Sequence, residues 1–415
     1  MVIMFHLFHG VSYFIYSLSF TIITILYFFL NSFFAVISNN RKTQHSSFYN
    51  LSDLTVVIPV YKEEIDIFEK VIRTLYDTRL EFIVVGDSVL EPYKSITERY
   101  GGKFIYMREH KGKRYALAEG VKYVRSPLVM FLDSDTIIYK DSILKMLSVF
   151  DESVGGVGPN IRIMYDEKNK YAYYYGEFFE RISEIVNRAV NYFGSAIILS
   201  GQCVIYRTEL VKPYILSKEF LEPKMFGRPI KISDDRDLTD FVIKKGYRAV
   251  KVFDAVAYTK PPRDIKMFTK QVTRWTRANY LNFIREIADG SISKRGSLYV
   301  FNMIYTNLLP LFTLLFLYMS FTRILKIYSS INVINTKLLL LLYLPTRYHS
   351  DFFIFYLFLH YGGFIAIIPF VMTMIYLIPE DKLKTLIYGS IALAVQYIAS
   401  LYAMITFWWQ DWLTR

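Results

Sequence analysis

Two aspartates one residue apart, Asp133 and Asp135, close the apolar run Leu128–Leu132. Carboxylates at the end of a buried strand reach the crevice beyond its carboxyl edge. There their oxygens suit Mg²⁺ or Mn²⁺ and, through the metal, a diphosphate. The same residues would also serve as turn caps. A second acidic pair, Asp234–Asp235, stands before an apolar helix start. Like charges this close tend to raise one pKa, which suits a general base, although acids also simply cap helix N-termini. Gln271, Arg274 and Trp275 share one helical face by i, i+3, i+4 spacing. Arginine offers phosphate oxygens a planar fork and tryptophan packs under a sugar ring; both also anchor helices at membrane interfaces.

Three weaker groups precede and separate these. Tyr61 follows the run Thr55–Val60 where a flat ligand could stack, while Glu63 and Glu64 read equally as acids favouring the next helix N-terminus. Asp87, after Val84–Val85–Gly86, could accept from a base or ribose or could cap a helix. Lys111–Gly112–Lys113–Arg114 supplies cations beside a glycine, with a solvated turn as the default reading. Cys203 has no evident His or Asn partner, so it reads as a small buried residue rather than a nucleophile.

The elements that must position these residues follow from patterning. Thr55–Val60, Phe82–Val85, Lys103–Met107 and Leu128–Leu132 read as strands, and Ile65–Asp77 and Lys113–Val124 as helices between them. Continuous apolar strands separated by helices imply a parallel sheet covered on both faces, binding ligands at its carboxyl edge.

The chain has 415 residues, 53% hydrophobic, 18% aromatic and 21% charged, and the apolar and charged parts segregate. That predicts a large polar domain plus membrane segments. Residues 1–40 carry an almost uncharged stretch, Val11–Ile37, longer than the roughly 20 residues a crossing needs, and without the positive start of a cleaved signal. Arg41 and Lys42 follow it, which places that end in the cytoplasm. The 41–262 region is the mixed α/β part, and 263–297 is basic and amphipathic, as helices at a membrane surface are. Leu298–Phe321, Phe352–Ile378 and Leu383–Trp409 make 298–409 apolar, Lys337–Leu344 is too short to cross, and 410–415 is a polar tail. A net charge of +12 fits lipid contact or a phosphate cleft. No nucleic-acid recognition module appears. A single cysteine excludes an internal disulfide framework.

Asp133–Thr136, Ser200–Arg207, Asp234–Thr239, Gln271–Trp275 and the tail Trp412–Arg415, in this order, resemble the processive family 2 glycosyltransferases. That group holds hyaluronan, chitin and cellulose synthases, and the chain is most similar to the hyaluronan synthases. The resemblance implies a GT-A domain, an α/β fold with a Rossmann-like mixed sheet, plus α-helical transmembrane and interfacial helices. It implies an integral plasma-membrane enzyme with its catalytic domain in the cytoplasm, using a UDP-sugar, Mg²⁺ or Mn²⁺, and a glycan or lipid-linked acceptor. Tyr61, Asp87 and Lys113 would lie on the uridine side, with Glu63 among the donor contacts. Asp133 would meet the ribose or diphosphate, and Asp135 would bind the metal. Asp235, beside Asp234, would be the base of an inverting transfer, and Gln271, Arg274 and Trp275 would hold the diphosphate and acceptor. Trp412 and Arg415 would return to the site as a gating element. If so, Leu298–Phe321 and Phe352–Ile378 pair as spans and Leu383–Trp409 stays at the interface or re-enters, three spans in all.

The chain departs from that family pattern. Leu413 replaces a glycine, Gln202 a residue that is usually proline, and Asp237 a histidine; further flanking helices are also expected. Oligomeric state stays open. A transferase adding one sugar to a polyprenyl phosphate or glycolipid fits the same residues. A transporter or receptor that merely binds nucleotide leaves Asp234–Asp235 and Gln271–Trp275 without a role.

Overall fold

The computed structural model describes residues 2–40, 48–230, 233–330 and 365–409. They divide into two compact units, one of residues 34–300 and 377–415 and one of residues 1–33 and 301–376.

The larger unit is built on an eight-stranded sheet ordered β3-β2-β1-β4-β7-β6-β10-β5. Here β1 is Leu54–Val60, β2 Glu81–Asp87, β3 Lys103–Met107, β4 Leu128–Leu132 and β5 Thr136–Ile138; β6 is Val154–Ile163, β7 Cys203–Arg207 and β10 Arg248–Thr259. Helices α2 (Ile65–Thr78) and α4 (Lys113–Val121) follow β1 and β3. Alternate residues of β1 serve opposite faces, as strand geometry demands. Val56 and Ile58 pack with Phe68 and Ile72 of α2, whereas Val57 packs with Ala116, Leu117 and Val121 of α4. All four expected strands form, and both expected helices do, although α4 ends earlier in a turn at Tyr123 and Val124.

The expected parallel sheet holds only for β3, β2, β1 and β4. Beyond them the sheet is mixed. β7 lies antiparallel between β4 and β6, with Cys203 opposite Leu132, while β10 is parallel to β6 and antiparallel to β5. The chain enters β7 from the long helix α6 (Lys170–Asn191) and the loop 192–202, at the carboxyl end of β4. It therefore runs back along β4, and Ser200–Gln202 lie beside Asp133. Two further helices complete the lobe around the crevice: α9 (Asp234–Lys244) and α10 (Ile265–Ala288). A terminal helix, α13 (Lys382–Thr406), packs on α6 and α10, its Tyr388 ring stacked on Tyr174 at 5.4 Å.

The smaller unit pairs residues 2–33 of α1 (Val2–Asn40) with residues 301–330 of α11 (Ser297–Ser330). Tyr27 and Tyr305 stack at 4.1 Å, and the amides of Asn31 and Asn302 exchange hydrogen bonds of 2.9 and 2.8 Å. Leu18–Ser38, Ser297–Met319 and Lys382–Thr406 are long and apolar enough to cross a membrane. Of the expected span Phe352–Ile378, residues 352–364 lie outside the described residues, and Ile365–Leu377 is a shorter apolar helix, α12. Lys337–Leu344, Trp412 and Arg415 also lie outside them.

Candidate active site

Three of the acids named from the sequence, Asp133, Asp234 and Asp235, lie together around Lys113 and Gly201. Lys113, the first residue of α4, sends Nζ to Asp133 Oδ1 at 2.5 Å, to Gly201 O at 3.0 Å and toward Asp234 Oδ2 at 3.9 Å. The Gly201 N–H donates to Asp235 Oδ2 at 3.2 Å, and the Asp133 N–H donates to Gln202 O at 2.9 Å. A proline at 202 would keep that carbonyl, so the backbone contact survives the exchange for glutamine. Glu63 Oε2 accepts from Ser134 Oγ at 3.3 Å, tying the turn after β1 to the acidic turn after β4.

Electrostatics split the acid pair. Burial and the neighbouring Asp234 charge push Asp235 up to about 6, against the pull of Lys113 and the N–H groups of Arg236 and Gly201. Asp234 goes the other way: burial alone would raise it, but Lys113, Arg114 and Arg274 together hold its carboxyl below the usual range. One carboxylate thus stays ionised while its neighbour titrates near the pH a general base needs. Burial also pushes the Lys113 ammonium downward, but Asp133, Asp234 and Asp235 overcome it and raise the pKa, so the lysine stays charged. Ser233, the N-cap of α9, holds a left-handed φ of 80°, and its Oγ accepts from Asn282 of α10 at 2.7 Å. Strain of this kind at a non-glycine residue is tolerated where surrounding structure fixes it.

Asp237 answers to its own surroundings. Arg114 Nη2 and Arg285 Nη2 each reach its carboxylate at 2.6 Å, and it is 4% exposed, so this anion matches two guanidinium groups. Below it, Arg236 donates to Glu286 Oε1 at 2.7 Å, and Glu286 Oε2 accepts from the Tyr299 hydroxyl at 2.6 Å. Arg295 adds an ion pair to Asp240. Arg236–Glu286 and Asp237–Arg285 lock α9 to α10, and they had no signal in the sequence because the partners lie 50 and 48 positions apart.

Arg274 acts electrostatically on Asp234, so α10 does lend an arginine to the acids. Trp275 packs on Phe179 of α6 at 5.2 Å between ring centroids. Gln271 is half-buried on the same helix. Tyr61, expected to stack a flat ligand, stacks on His110 at 4.0 Å. Asp87 is buried, and its oxygens accept from the N–H groups of Lys111 and Gly112 at 2.9 Å. Gly112, with φ of 86°, starts α4 in a conformation that favours glycine, so Asp87 shapes the turn that aims Lys113. Lys113 itself lies with the acids rather than beside Asp87. Cys203 is buried against Met130, and burial pushes its thiol up, away from nucleophilic use.

No group of three or more His, Cys, Asp or Glu able to hold a metal alone occurs among the described residues. Mg²⁺ and Mn²⁺ working on a diphosphate need only one or two carboxylates, the rest being phosphate oxygens and water. Asp135 and Asp133 fit that donor set. Asp133 is paired with Lys113, and Asp135 is half-buried beside it in the chain.

Residues 55–215 match the family model for glycosyl transferase family 2, so the chain carries a family 2 glycosyltransferase domain. It is 27% identical over 242 residues to an N-acetylglucosaminyltransferase of Azorhizobium caulinodans, covering 54% of this chain and 59% of that one. It is 25% identical over 247 residues to a hyaluronan synthase of Streptococcus pyogenes, covering 56% and 57%. The matches span little more than half the length of these relatives. A mannosyltransferase from Pyrobaculum calidifontis, solved in complex with GDP-Man and Mn²⁺, superimposes with a TM-score of 0.58 over 95% of this chain and 99% of its own, at 14% identity. That likeness shows the fold, a GT-A sheet with accompanying apolar helices.

Proposed function

We propose that the chain is a membrane-bound inverting glycosyltransferase. It moves a sugar from a nucleoside-diphosphate donor, expected to be a UDP-sugar, to a growing glycan in the manner of the hyaluronan synthases. The observation that carries this is the split acid pair, a carboxylate raised to about 6 beside a lysine-held partner, at the carboxyl edge of a family 2 domain.

In this reading Asp235 takes the proton from an acceptor hydroxyl as that oxygen bonds to the anomeric carbon. The bond from that carbon to the diphosphate breaks on the opposite face, the configuration inverts, and Asp235 returns its proton to water. Lys113 and Arg274 offset charge gathering on the departing diphosphate, an electrostatic role suited to a site out of bulk water. A divalent ion held by Asp135, with Asp133 beside it, would add Lewis-acid stabilisation there. The raised Asp235, the engaged Asp87 loop and the half-buried Gln271 and Trp275 would bracket donor and acceptor. Catalysis on the cytoplasmic side of the plasma membrane fits Arg41 and Lys42 and the supply of activated sugars.

Purified full-length protein in detergent, given UDP- and GDP-sugars with Mn²⁺ or Mg²⁺, tests the reading by nucleotide release and product size together. A ladder of long products supports a polymerase. One added sugar on a polyprenyl phosphate or glycolipid supports the single-addition transferase instead. No sugar transfer with any donor would refute both.

A further inference from the structure

The loop of residues 192–202 brings Gly201 to Asp235 with no helix or strand of its own, so polar contacts to other elements must hold it. The Ala196 N–H donates to Ala249 O of β10 at 2.7 Å, and the Ile197 N–H to Asn187 Oδ1 of α6 at 3.2 Å. The Leu199 N–H donates to Thr239 Oγ1 of α9 at 3.1 Å, and that hydroxyl donates to Asp235 O at 2.8 Å. These bonds serve the donors of the loop. Its carbonyls at 196 and 197 are both served by one distant side chain. Arg295 Nη2 donates to Ala196 O at 3.1 Å and to Ile197 O, while its Nη1 pairs with Asp240 of α9. Glu286 Oε1 stands 3.8 Å from Nη1, and the guanidinium lies 4.2 Å from the Tyr299 ring centre. The Arg295 side chain is 3% exposed. Buried carbonyls require donors, and a planar fork reaches two of them and a carboxylate at once, which one ammonium cannot. Arg295 stands two residues before Ser297, where α11 begins.

We propose that Arg295 is a positioning residue of the transfer step: it fixes the middle of the loop, so that Gly201, four residues past Ile197, presents its N–H to the Asp235 carboxylate. Arg295 acts only through the loop. Asp235 faces Asp234, Lys113 and the N–H groups of Arg236 and Gly201, and of these only the Gly201 N–H belongs to the loop. That bond favours the ionised carboxylate, the form that takes a proton. Releasing the carbonyls of 196 and 197 therefore weakens it, which raises the Asp235 pKa and loosens the aim of its oxygens. This inference rests on the inverting-transfer reading above.

Two variants of the full-length protein in detergent test it. Arg295→Lys keeps a charge beside Asp240 and Glu286 but loses the fork, so a shift in it reports geometry rather than charge. Arg295→Met with Asp240→Asn removes the guanidinium together with the carboxylate paired to it. Each is compared with wild type by hydrogen exchange of the loop amides, by the pH profile of turnover, and by titration with UDP and Mn²⁺. In the double variant the Leu199 and Gly201 amides should exchange about tenfold faster, and the acid limb should move up by about one pH unit, the loss of one hydrogen bond to a carboxylate. Its kcat should fall about tenfold, while UDP affinity changes far less. Arg295→Lys should shift all three readings the same way by smaller amounts. Loop amides as protected as in wild type in both variants would overturn the proposal. So would faster exchange with the acid limb unmoved, which marks a merely structural contact. Failure of wild type to transfer sugar would instead overturn the transfer reading, while hydrogen exchange would still report whether Arg295 holds the loop.

Discussion

The backbone N–H of Gly201 lies 3.2 Å from Asp235 Oδ2, while the carbonyl of the same glycine accepts from Lys113. A Cβ at position 201 would come within 3.2 Å of both Asp235 Cβ and Lys113 Nζ. One residue thus spaces the raised carboxylate from the cation that restrains it. Gly201→Ala should lower kcat by roughly ten- to a hundredfold, since small misplacements of reacting groups cost that much. Nucleotide affinity should change far less, as a titration beside the rate assay would show.

Asp235→Asn should lower turnover on the order of 10² to 10⁴-fold, the usual worth of a general base, while nucleotide binding persists. Single-turnover assays with the preferred donor would reveal it. Undiminished turnover in this variant would move the base elsewhere.

The acid limb of the pH profile should report Asp235. Its ionised form takes the proton, so activity should be level above about 6 and fall about tenfold per unit below it. Lys113 pulls that carboxyl down, so Lys113→Met should move the limb to higher pH as well as weaken donor binding. A limb that stays in place would show that a different group titrates.

Glu286 is 1% exposed between Arg236 and Tyr299. Glu286→Ala takes from the buried Arg236 its nearest carboxylate, leaving it Asp240 at 3.5 Å, and should cost about 3 kcal/mol. Thermal unfolding in detergent measures this. Arg236→Met combined with Glu286→Leu should recover much of the loss, because no charge is left unmatched.

Asn31 and Asn302 are both buried and exchange hydrogen bonds with one another. Asn31→Leu alone should destabilise by about 1–2 kcal/mol, and the double replacement with Asn302→Leu by less than the sum of the singles. A double-mutant cycle of melting temperatures would expose the coupling.

Local pattern made some of this legible. The uninterrupted apolar run ending in Asp133 and Asp135 is a buried central strand, and Asp234–Asp235 do open a helix. What pattern cannot carry is partnership. Lys113 belonged to a charge run whose default reading was a solvated turn, yet its partner Asp133 lies 20 residues on. The arginines of α10 suggested a membrane surface, but Arg277 is 2% exposed and bonded to Thr406, and Arg285 pairs with Asp237. Hydrophobic period likewise says nothing of a neighbour's direction, so β7 running against β4 was legible only through the mixed sheet that the family resemblance implies. His110 carried no signal beyond its place before Lys111.

That reversed strand has a consequence for maturation. β1 through β4 assemble from near neighbours, but the loop bridging Asp133 to Asp235 arrives only once β7 has threaded back beside β4. A chain stalled before that step would hold its first acids without the second pair or the glycine that spaces them. Nucleotide would then bind finished lobes alone and draw the population toward them by mass action. Substrate supply would thereby double as a reward for completing the fold.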